Sequence, residues 1–281
     1  MSRCRSERAL VSPLALVVSD VDGTLVDKQK RLTSATADAV RRLEAAGAGF
    51  TIISARPRSG MMPIADTLGI DRPMAAFNGG IVFTRDGGVS EHHTIDPEVA
   101  RGMVALADGK PVDLWVFADD RWYASTDQGV HVEHERVASN QEPVVTGDFA
   151  PLLDAADKIT FVSDDEALLA DLHAKGVPWA ARATVVQSQT YYLDVTAREA
   201  NKGDGIVALA AAYGASLAQT AAIGDQFNDV PMLERAGYAI AMGNAPAKVQ
   251  AVADQVTTAN DADGVAHAID TFILPRIGVN A

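Results

Sequence analysis

The chain has 281 residues, of which 48% are hydrophobic and 22% are charged, values typical of a globular protein with one large domain or two modest ones. Its net charge of −13 argues against nucleic acid or an anionic membrane as a partner, because both bind basic surfaces. Its single cysteine, Cys4, excludes internal disulfides and thiolate zinc sites and predicts a cytoplasmic location.

The first residues resemble a signal peptide in part. Arg3, Arg5 and Arg8 precede an apolar run from Ala9 to Val18. No clear small-residue cleavage site is visible, and cleavage after this run would remove the strand that leads to Asp20. We therefore expect no export. No apolar run in the sequence reaches the length of a membrane span.

The chain continues with an apolar strand that ends in acidic residues. Leu14 to Ser19 are followed by Asp20 and Asp22, two carboxylates two residues apart, and then by Gly23. In extended backbone such residues point to the same side, and glycine allows the sharp turn that follows. Because two like charges at one spot repel, we expect a bound hard cation or a proton on one of them.

Strands and helices then alternate up to about residue 84. Hydrophobic periodicity predicts a helix over 34–46, a strand over 50–53 that leads to Ser54, a helix over 59–68 and a strand over 74–77. This alternation is typical of a parallel sheet with crossover helices.

The middle of the chain has a different pattern. Paired strands are predicted around turns at 86–88 and 119–120 and over 185–187 and 191–195, with a further strand over 158–162 and a helix over 165–175. Paired strands interspersed with helices indicate an α+β unit with an antiparallel sheet. We expect its three tryptophans to be core residues rather than a platform for substrate: Trp115, Trp122 and Trp179.

After residue 200 the strand–helix alternation resumes. Helices are predicted over 203–213, 228–235, 245–253 and 264–272, and strands over 219–223 and 238–241. We therefore predict an α/β fold in which a Rossmann-like parallel-sheet core is interrupted by an inserted α+β cap domain. The predicted bounds are 1–84 plus 196–281 for the core and 85–195 for the cap.

Polar side chains follow three of the predicted strands. They are Asp20 and Asp22 after the first strand, Ser54 after the second, and Asp225, Asn228 and Asp229 after the strand over 219–223. In open α/β sheets ligands bind at the carboxyl ends of the strands, so we expect these groups to converge on one site. Lys202 opens a helix, where the macrodipole disfavours a cation, and this favours a functional use.

These residue types suit phosphoryl transfer. Asp20, Asp22 and Asp225 offer the oxygen ligands that Mg²⁺ prefers alongside water and substrate phosphate. A cation and a nearby ammonium offset the repulsion between a carboxylate and a phosphate ester, since one ion pair at ~4 Å is worth about 4 kcal/mol at an effective dielectric of ~20. Ser54 can donate a hydrogen bond to a phosphate oxygen. Asp22 can protonate the leaving alkoxide and later deprotonate water.

Four segments resemble, in order, the motifs of the haloacid dehalogenase-like superfamily. They are Asp20-Val21-Asp22-Gly23-Thr24, Ser54-Ala55-Arg56-Pro57, Asn201-Lys202-Gly203 and Gly224-Asp225-Gln226-Phe227-Asn228-Asp229. The sequence is most similar to the Cof-type sugar-phosphatase branch, over essentially the whole chain, although the cap matches only loosely. The sequence departs slightly from this branch at Ser54-Ala55, where the branch often has Thr-Gly. The serine keeps the hydroxyl group of the threonine.

The resemblance implies the roles of the residues that handle phosphate. Asp20 would be the nucleophile that forms an aspartyl-phosphate, and Asp22 the general acid and base. Lys202 would steady the nucleophile and the phosphate, while Ser54 and Asn228 would bind phosphoryl oxygens.

The resemblance also implies a metal and a reaction. Mg²⁺ would be held by the side chains of Asp20 and Asp225 and by the backbone carbonyl of Asp22, with Asp229 in support. The ion-pumping relatives have threonine where this chain has Asp22, which indicates phosphatase or phosphomutase chemistry. The expected protein is a Mg²⁺-dependent phosphatase acting on a small phosphorylated metabolite.

Two other functions stay open from the sequence. One is a phosphomutase on the same scaffold, and the other is a non-catalytic module switched by phosphorylation, against which Asp22 and the substantial cap argue. The sequence also leaves open the oligomeric state, the choice among sugar phosphates, phosphorylated cofactors and nucleotides, and whether Arg56 contacts substrate or pairs with a helix carboxylate.

A second cluster of polar residues lies in the predicted cap. His131 and His134 occur with Glu133 and Glu135, which suggests a second metal site. Because no third ligand accompanies the two histidines, we interpret the segment as a polar face of the cap.

Overall fold

The computed structural model describes residues 13–278, so Cys4 and the predicted charged segment with Arg3, Arg5 and Arg8 lie outside the described residues. The strands are β1 Leu16–Ser19, β2 Gly49–Ile52, β3 Met74–Ala76, β4 Ile81–Phe83, β5 Val89–His92, β6 Asp113–Ala118, β7 Arg121–Ala124, β8 Val144–Val145, β9 Lys158–Val162, β10 Ala183–Gln189, β11 Tyr192–Ala197, β12 Thr220–Gly224, β13 Tyr238–Ala241 and β14 Gln255–Val256. The α-helices are α1 Ser34–Ala45, α2 Arg58–Leu68, α3 Pro97–Leu106, α4 Val132–Ser139, α5 Glu166–Gly176, α6 Lys202–Tyr213, α7 Val230–Arg235, α8 Ala247–Gln250 and α9 Gly264–Ala268. None of the helices in 13–278 is long and apolar enough to cross a bilayer.

The central sheet is parallel and has the order β14-β13-β12-β1-β2. Val17 of β1 is in register with Ala221 of β12 on one side and with Phe50 of β2 on the other. The carboxyl ends of three adjacent strands, β12, β1 and β2, therefore meet at one edge. This is the edge at which open α/β sheets bind ligands.

Helices cover both faces of this sheet because alternate side chains of β1 point to opposite sides. Leu16 and Val18 are fully buried in a cluster with Ile206 of α6. Val17 is fully buried in a second cluster with Val40 of α1 and with residues of α9. The prediction of a Rossmann-like α/β core is confirmed.

The predicted strand over 74–77 pairs differently from the prediction. A single parallel bridge, Ile53 with Ala75, links it to the end of β2, and its main partner is β4, with which it is antiparallel. The reason is the turn at Phe77, Asn78 and Gly79, where φ is 48°, 59° and 104° and the chain reverses. A third antiparallel strand, β5, completes a small separate sheet.

The inserted cap is an α+β unit, as predicted. Its sheet has the order β10-β11-β9-β6-β7-β8, antiparallel except for the parallel pair of β7 and β8. One face packs against α3 and α5, with Val116, Phe161 and Leu193 buried beside Val99 and Leu169. The bounds 85–195 stay a prediction, and residue 84 lies in the hairpin between β4 and β5.

Two helices of the cap were not predicted, and two helices of the core differ from the prediction. The missed helices are α3 and α4, although Asp96 caps α3 by accepting from the amide of Glu98, with proline at the first helical position. The helix predicted over 245–253 is limited to α8, and the helix predicted over 264–272 continues beyond α9 as a π-helical turn.

Two of the three tryptophans are core residues, as expected. Trp115 and Trp122 are 1% and 0% exposed and pack edge to face at 5.1 Å between ring centroids. Trp179 is partly buried against the cluster that covers the other face of the cap sheet.

Candidate active site

Asp20 lies at the carboxyl end of β1 and is 5% exposed. Its amide donates to the Ile223 carbonyl at 2.9 Å, which fixes it beside β12. The Lys202 ammonium donates to Asp20 Oδ1 and, at 2.5 Å, to Asp229 Oδ1. Burial lowers the pKa of Lys202, but the charges of Asp20 and Asp229 outweigh burial and raise it above the usual value. Two buried anions thus stabilise a cation that begins helix α6.

Asp225 lies at the end of β12, and its side chain occupies space next to Gly23 that a larger residue would fill. The Thr24 hydroxyl donates to Asp225 Oδ1 at 2.8 Å. Gly23 has φ +83°, and a Cβ at this position would lie 2.5 Å from Asp225 Oδ2. Glycine therefore satisfies both the left-handed turn and the close approach of the two loops.

Asp229 holds the loop after β12 in place. Its Oδ2 accepts from the amides of Asp225 and Gln226 at 2.7 and 2.8 Å, and its Oδ1 accepts from Lys202. Because both oxygens are used, Asp229 fixes the positions of Lys202 and of the loop that carries Asp225.

The carboxylates of Asp20, Asp225 and Asp229 are close enough to share a cation. One oxygen of each lies within 4.8 Å of the others, and all three residues are buried. Burial raises the pKa of Asp20 despite the opposing charge of Lys202. Burial, followed by the charge of Asp229, raises the pKa of Asp225 to about 6. Three buried carboxylates this close together, two of which also pair with Lys202, fit a hard divalent cation.

The Asp22 side chain faces the cavity rather than this cluster. Arg56 donates to it from Nε and Nη2, both at 2.7 Å, and Lys30 donates from Nζ at 2.5 Å. Burial favours a raised pKa at Asp22, but the hydrogen bonds and charge of Arg56, together with Lys30, outweigh burial and lower it. Asp22 is therefore an anion in this arrangement. Arg56 therefore reaches the site, and among residues 13–278 its ion pair is with Asp22 rather than with a helix carboxylate.

Two of the three predicted phosphate-binding residues, Ser54 and Asn228, flank the same cavity, and the third is Lys202. Ser54 is 1% exposed, and its Oγ accepts from the Arg56 amide at 3.2 Å. Asn228 is exposed, and its Nδ2 donates to Asn78 Oδ1 at 3.2 Å. Asp20, Ser54 and Asn228 line the cavity together.

The cavity has a volume of about 230 Å³, and the cap forms its other side. The cap residues that the sequence did not single out as site residues include Lys158, Tyr192 and Asp194. Asp194 is 6% exposed and accepts from Thr160 Oγ1 at 2.7 Å and from Lys158 Nζ at 3.2 Å. A charged residue inside an apolar strand is the signal that would have identified Asp194.

The two histidines of the polar cap segment, His131 and His134, lie in different surroundings. His131 stacks on Tyr191 at 3.7 Å between ring centroids, and its Nε2 lies 2.7 Å from Asp164 Oδ1. His134 and Glu135 line the cavity instead.

A family model and individual relatives both assign the chain to the same protein family. The family model of the haloacid dehalogenase-like hydrolases matches residues 17–269. Phosphatase YwpJ of Bacillus subtilis (strain 168) is 28% identical over 279 residues, covering 90% of this chain and 98% of that protein.

Solved structures share the whole fold, the cap included. A haloacid dehalogenase-like hydrolase from Bacteroides thetaiotaomicron has a TM-score of 0.84 at 25% identity, with 92% of this chain and 98% of the other covered. A sugar phosphatase of HAD subclass IIB has a TM-score of 0.80 at 25% identity, with coverages of 92% and 99%. The predicted family, its Cof-type sugar-phosphatase branch and the prediction of a phosphoric monoester hydrolase are confirmed. The chain belongs to the haloacid dehalogenase-like hydrolase family.

Proposed function

We propose that this enzyme is a Mg²⁺-dependent phosphatase of small phosphate monoesters that reacts through an aspartyl-phosphate on Asp20. The observation that carries the proposal is the buried ion pair of Asp20 with Lys202, placed beside Asp225 at the edge where three parallel strands end. The names of the relatives, which are phosphatases, support the same reaction class.

Asp20 is the proposed nucleophile. Lys202 engages Oδ1 of Asp20, and in the described residues Oδ2 has no hydrogen-bond donor. Oδ2 attacks phosphorus in line, so that an Asp20–phosphorus bond forms as the bond to the leaving alkoxide breaks. A water molecule then attacks phosphorus and displaces the Asp20 carboxylate.

Asp22 is the proposed general acid and base. Arg56 and Lys30 hold it as an anion, and a substrate phosphate dianion competes with it for these two cations. When they shift toward the phosphate, the pKa of Asp22 rises, and the carboxylate takes up from solvent the proton that it then donates to the alkoxide. Asp22 later accepts a proton from the attacking water.

The proposed metal ligands are the side chains of Asp20 and Asp225 and the backbone carbonyl of Asp22, with Asp229 in support. The saturated hydrogen bonding of Asp229 favours this supporting role. When bound, Mg²⁺ supplies positive charge that reduces the repulsion between the carboxylate and the phosphate ester.

Ser54, Lys202 and Asn228 are the proposed phosphate-binding residues. Ser54 and Asn228 line the cavity beside Asp20, and the Ser54 hydroxyl can donate to a phosphoryl oxygen. We propose sugar phosphates or phosphorylated cofactors as the substrate class and residues 85–195 as the cap that closes over them. The single cysteine supports a cytoplasmic location.

The test is a screen of several dozen metabolite phosphates with released phosphate measured, with Mg²⁺ and after chelation by EDTA, and with Asp20→Asn as the blank. We expect Mg²⁺-dependent release that the blank lacks. Full activity after exhaustive chelation would exclude the metal, and isomerised sugar phosphate with little free phosphate would indicate a phosphomutase. A chiral phosphorus centre should keep its configuration, and inversion would exclude the aspartyl-phosphate.

A further inference from the structure

Among residues 13–278, one carboxylate on the cap side of the cavity has neither a hydrogen bond nor an ion pair. Glu135 of α4 is 8% exposed and lines the cavity. Within residues 13–278 no hydrogen bond and no ion pair within 4 Å reaches its carboxylate. Burial raises the pKa of Glu135 to about 7, with Lys158 opposing the shift. A buried carboxylate without a donor is unfavourable, because the lost hydration is not replaced.

The neighbouring charges on the cap sheet do not neutralise this carboxylate. Lys158 is held by Asp194 at 3.2 Å, and Asp194 also accepts from Thr160. One cation therefore faces two carboxylates at this end of the cavity. Lys30, which also lines the cavity, is held by Asp22 at 2.5 Å.

A second polar group, whose pKa the charge of Glu135 influences, also lacks a hydrogen bond within the described part of the chain. The Tyr192 hydroxyl is buried without a hydrogen bond, and Tyr192 lines the cavity. The charge of Glu135 contributes to the raised pKa of Tyr192 after burial. Native proteins rarely leave polar groups unpaired, and of these two groups the Glu135 carboxylate, which is not fully enclosed, is the one that a ligand in the cavity can reach.

We propose that Glu135 is a specificity-determining residue that accepts a hydrogen bond from the leaving group of the substrate. This inference rests on the proposed phosphatase function and narrows its substrate class. The leaving group presents a donor, a hydroxyl or an ammonium, at the end remote from phosphate, and a leaving group with a carboxylate at that end is rejected by like charge.

The experiment uses three phosphate esters of equal chain length that differ only at the far end. They are glucitol 6-phosphate with a hydroxyl, 1-amino-1-deoxyglucitol 6-phosphate with an ammonium, and 6-phosphogluconate with a carboxylate. At about pH 8.5, where the Glu135 carboxyl is ionised, we expect kcat/KM of the wild type for the two donor esters to exceed that for 6-phosphogluconate by at least about tenfold. The ratio between the hydroxyl and ammonium esters identifies which donor the site prefers.

The variant Glu135→Gln tests the residue itself. Glutamine accepts the same hydrogen bond but carries no charge, so the discrimination against 6-phosphogluconate should fall by about tenfold or more. The matched control is Glu133→Gln on the same helix, because the Glu133 side chain is 81% exposed. This variant should keep the wild-type ratio of kcat/KM between the donor esters and 6-phosphogluconate.

Two results would overturn the inference. If Glu135→Gln keeps the wild-type ratio of kcat/KM between the donor esters and 6-phosphogluconate, Glu135 does not determine specificity. If the wild type prefers 6-phosphogluconate, the inference is wrong, and this result does not depend on whether the variant folds. Hydrolysis of p-nitrophenyl phosphate by the wild type tests the phosphatase function separately from the role of Glu135. If it is hydrolysed and the Glu135→Gln ratio is unchanged, only the role of Glu135 is excluded. If neither p-nitrophenyl phosphate nor any of the three esters is hydrolysed, both proposals are wrong.

Discussion

At the core end of the cavity the charged groups lie on loops and a helix start at the edge of a parallel sheet, whereas at the cap end they lie on strands and on α4. At the core end each cation has a carboxylate partner: Lys202 with Asp20, and Arg56 and Lys30 with Asp22. At the cap end Lys158 is paired with Asp194, whereas within residues 13–278 the Glu135 carboxylate has neither a hydrogen bond nor an ion pair. The contrast suggests that the core end fixes the chemistry and that the cap end selects the leaving group.

The strongest test of the core end is Asp20→Asn. Because an amide is not a nucleophile toward phosphorus, we expect phosphate release to fall at least about a thousandfold. The unfolding temperature should change by only a few degrees, since Lys202 keeps Asp229 as a partner. Released phosphate and thermal unfolding measure the two effects. Retained activity would show that the nucleophile is misassigned.

Asp22→Asn separates proton transfer from nucleophilic attack. We expect activity on alkyl phosphates to fall about a hundred- to ten-thousandfold, because their alkoxides need a proton. The loss on p-nitrophenyl phosphate should be smaller, because nitrophenolate leaves without one. Rates across a series of leaving-group pKa values provide the measurement. An equal loss over the whole series would contradict the acid role.

At the cap end, the pH dependence of stability tests the burial of Glu135. Its pKa rises from an ordinary 4.5 to about 7 in the folded chain, so the folded state holds the proton more tightly. The contribution of this pKa shift to the free energy of unfolding is fully present below pH 4.5 and is lost as the pH rises through 7. Relative to Glu135→Gln, the wild type should therefore lose about 2 kcal/mol of unfolding free energy between pH 5 and pH 8.

Urea unfolding at the two pH values measures this difference, with Glu133→Gln as the exposed control on the same helix. A wild type and a Glu135→Gln variant with parallel pH profiles would show that the carboxyl is not buried as described.

The smallest expected effect concerns the contact between the Gly23 and Asp225 loops, next to the proposed metal site. Gly23→Ala places a Cβ against Asp225, so we expect the Mg²⁺ concentration for half-maximal activity to rise about tenfold. Gly47→Ala is the matched control, because Gly47 has φ +92° but nothing within 4 Å of the added Cβ. Both variants carry the strain of a left-handed alanine. An equal Mg²⁺ requirement in both would exclude a specific role for the contact.

The sequence by itself determined the order of the core elements and the positions of the polar groups that follow its strands. Hydrophobic periodicity, capping residues and glycine turns are local signals, and they predicted β1, α1, β12 and most of the cap strands within one or two residues. The placement of Asp20, Ser54 and Asp225 at one edge followed because parallel strands end on the same side of a sheet.

The tertiary structure alone decided the pairing of β3 with β4, the clamp of Arg56 and Lys30 on Asp22, and the place of Glu135 in the cavity. These features join residues far apart in the chain, such as Arg56 and Asp22, which are separated by 34 positions. No local periodicity records such a contact, because whether a carboxylate is paired or left alone depends on which elements pack against it.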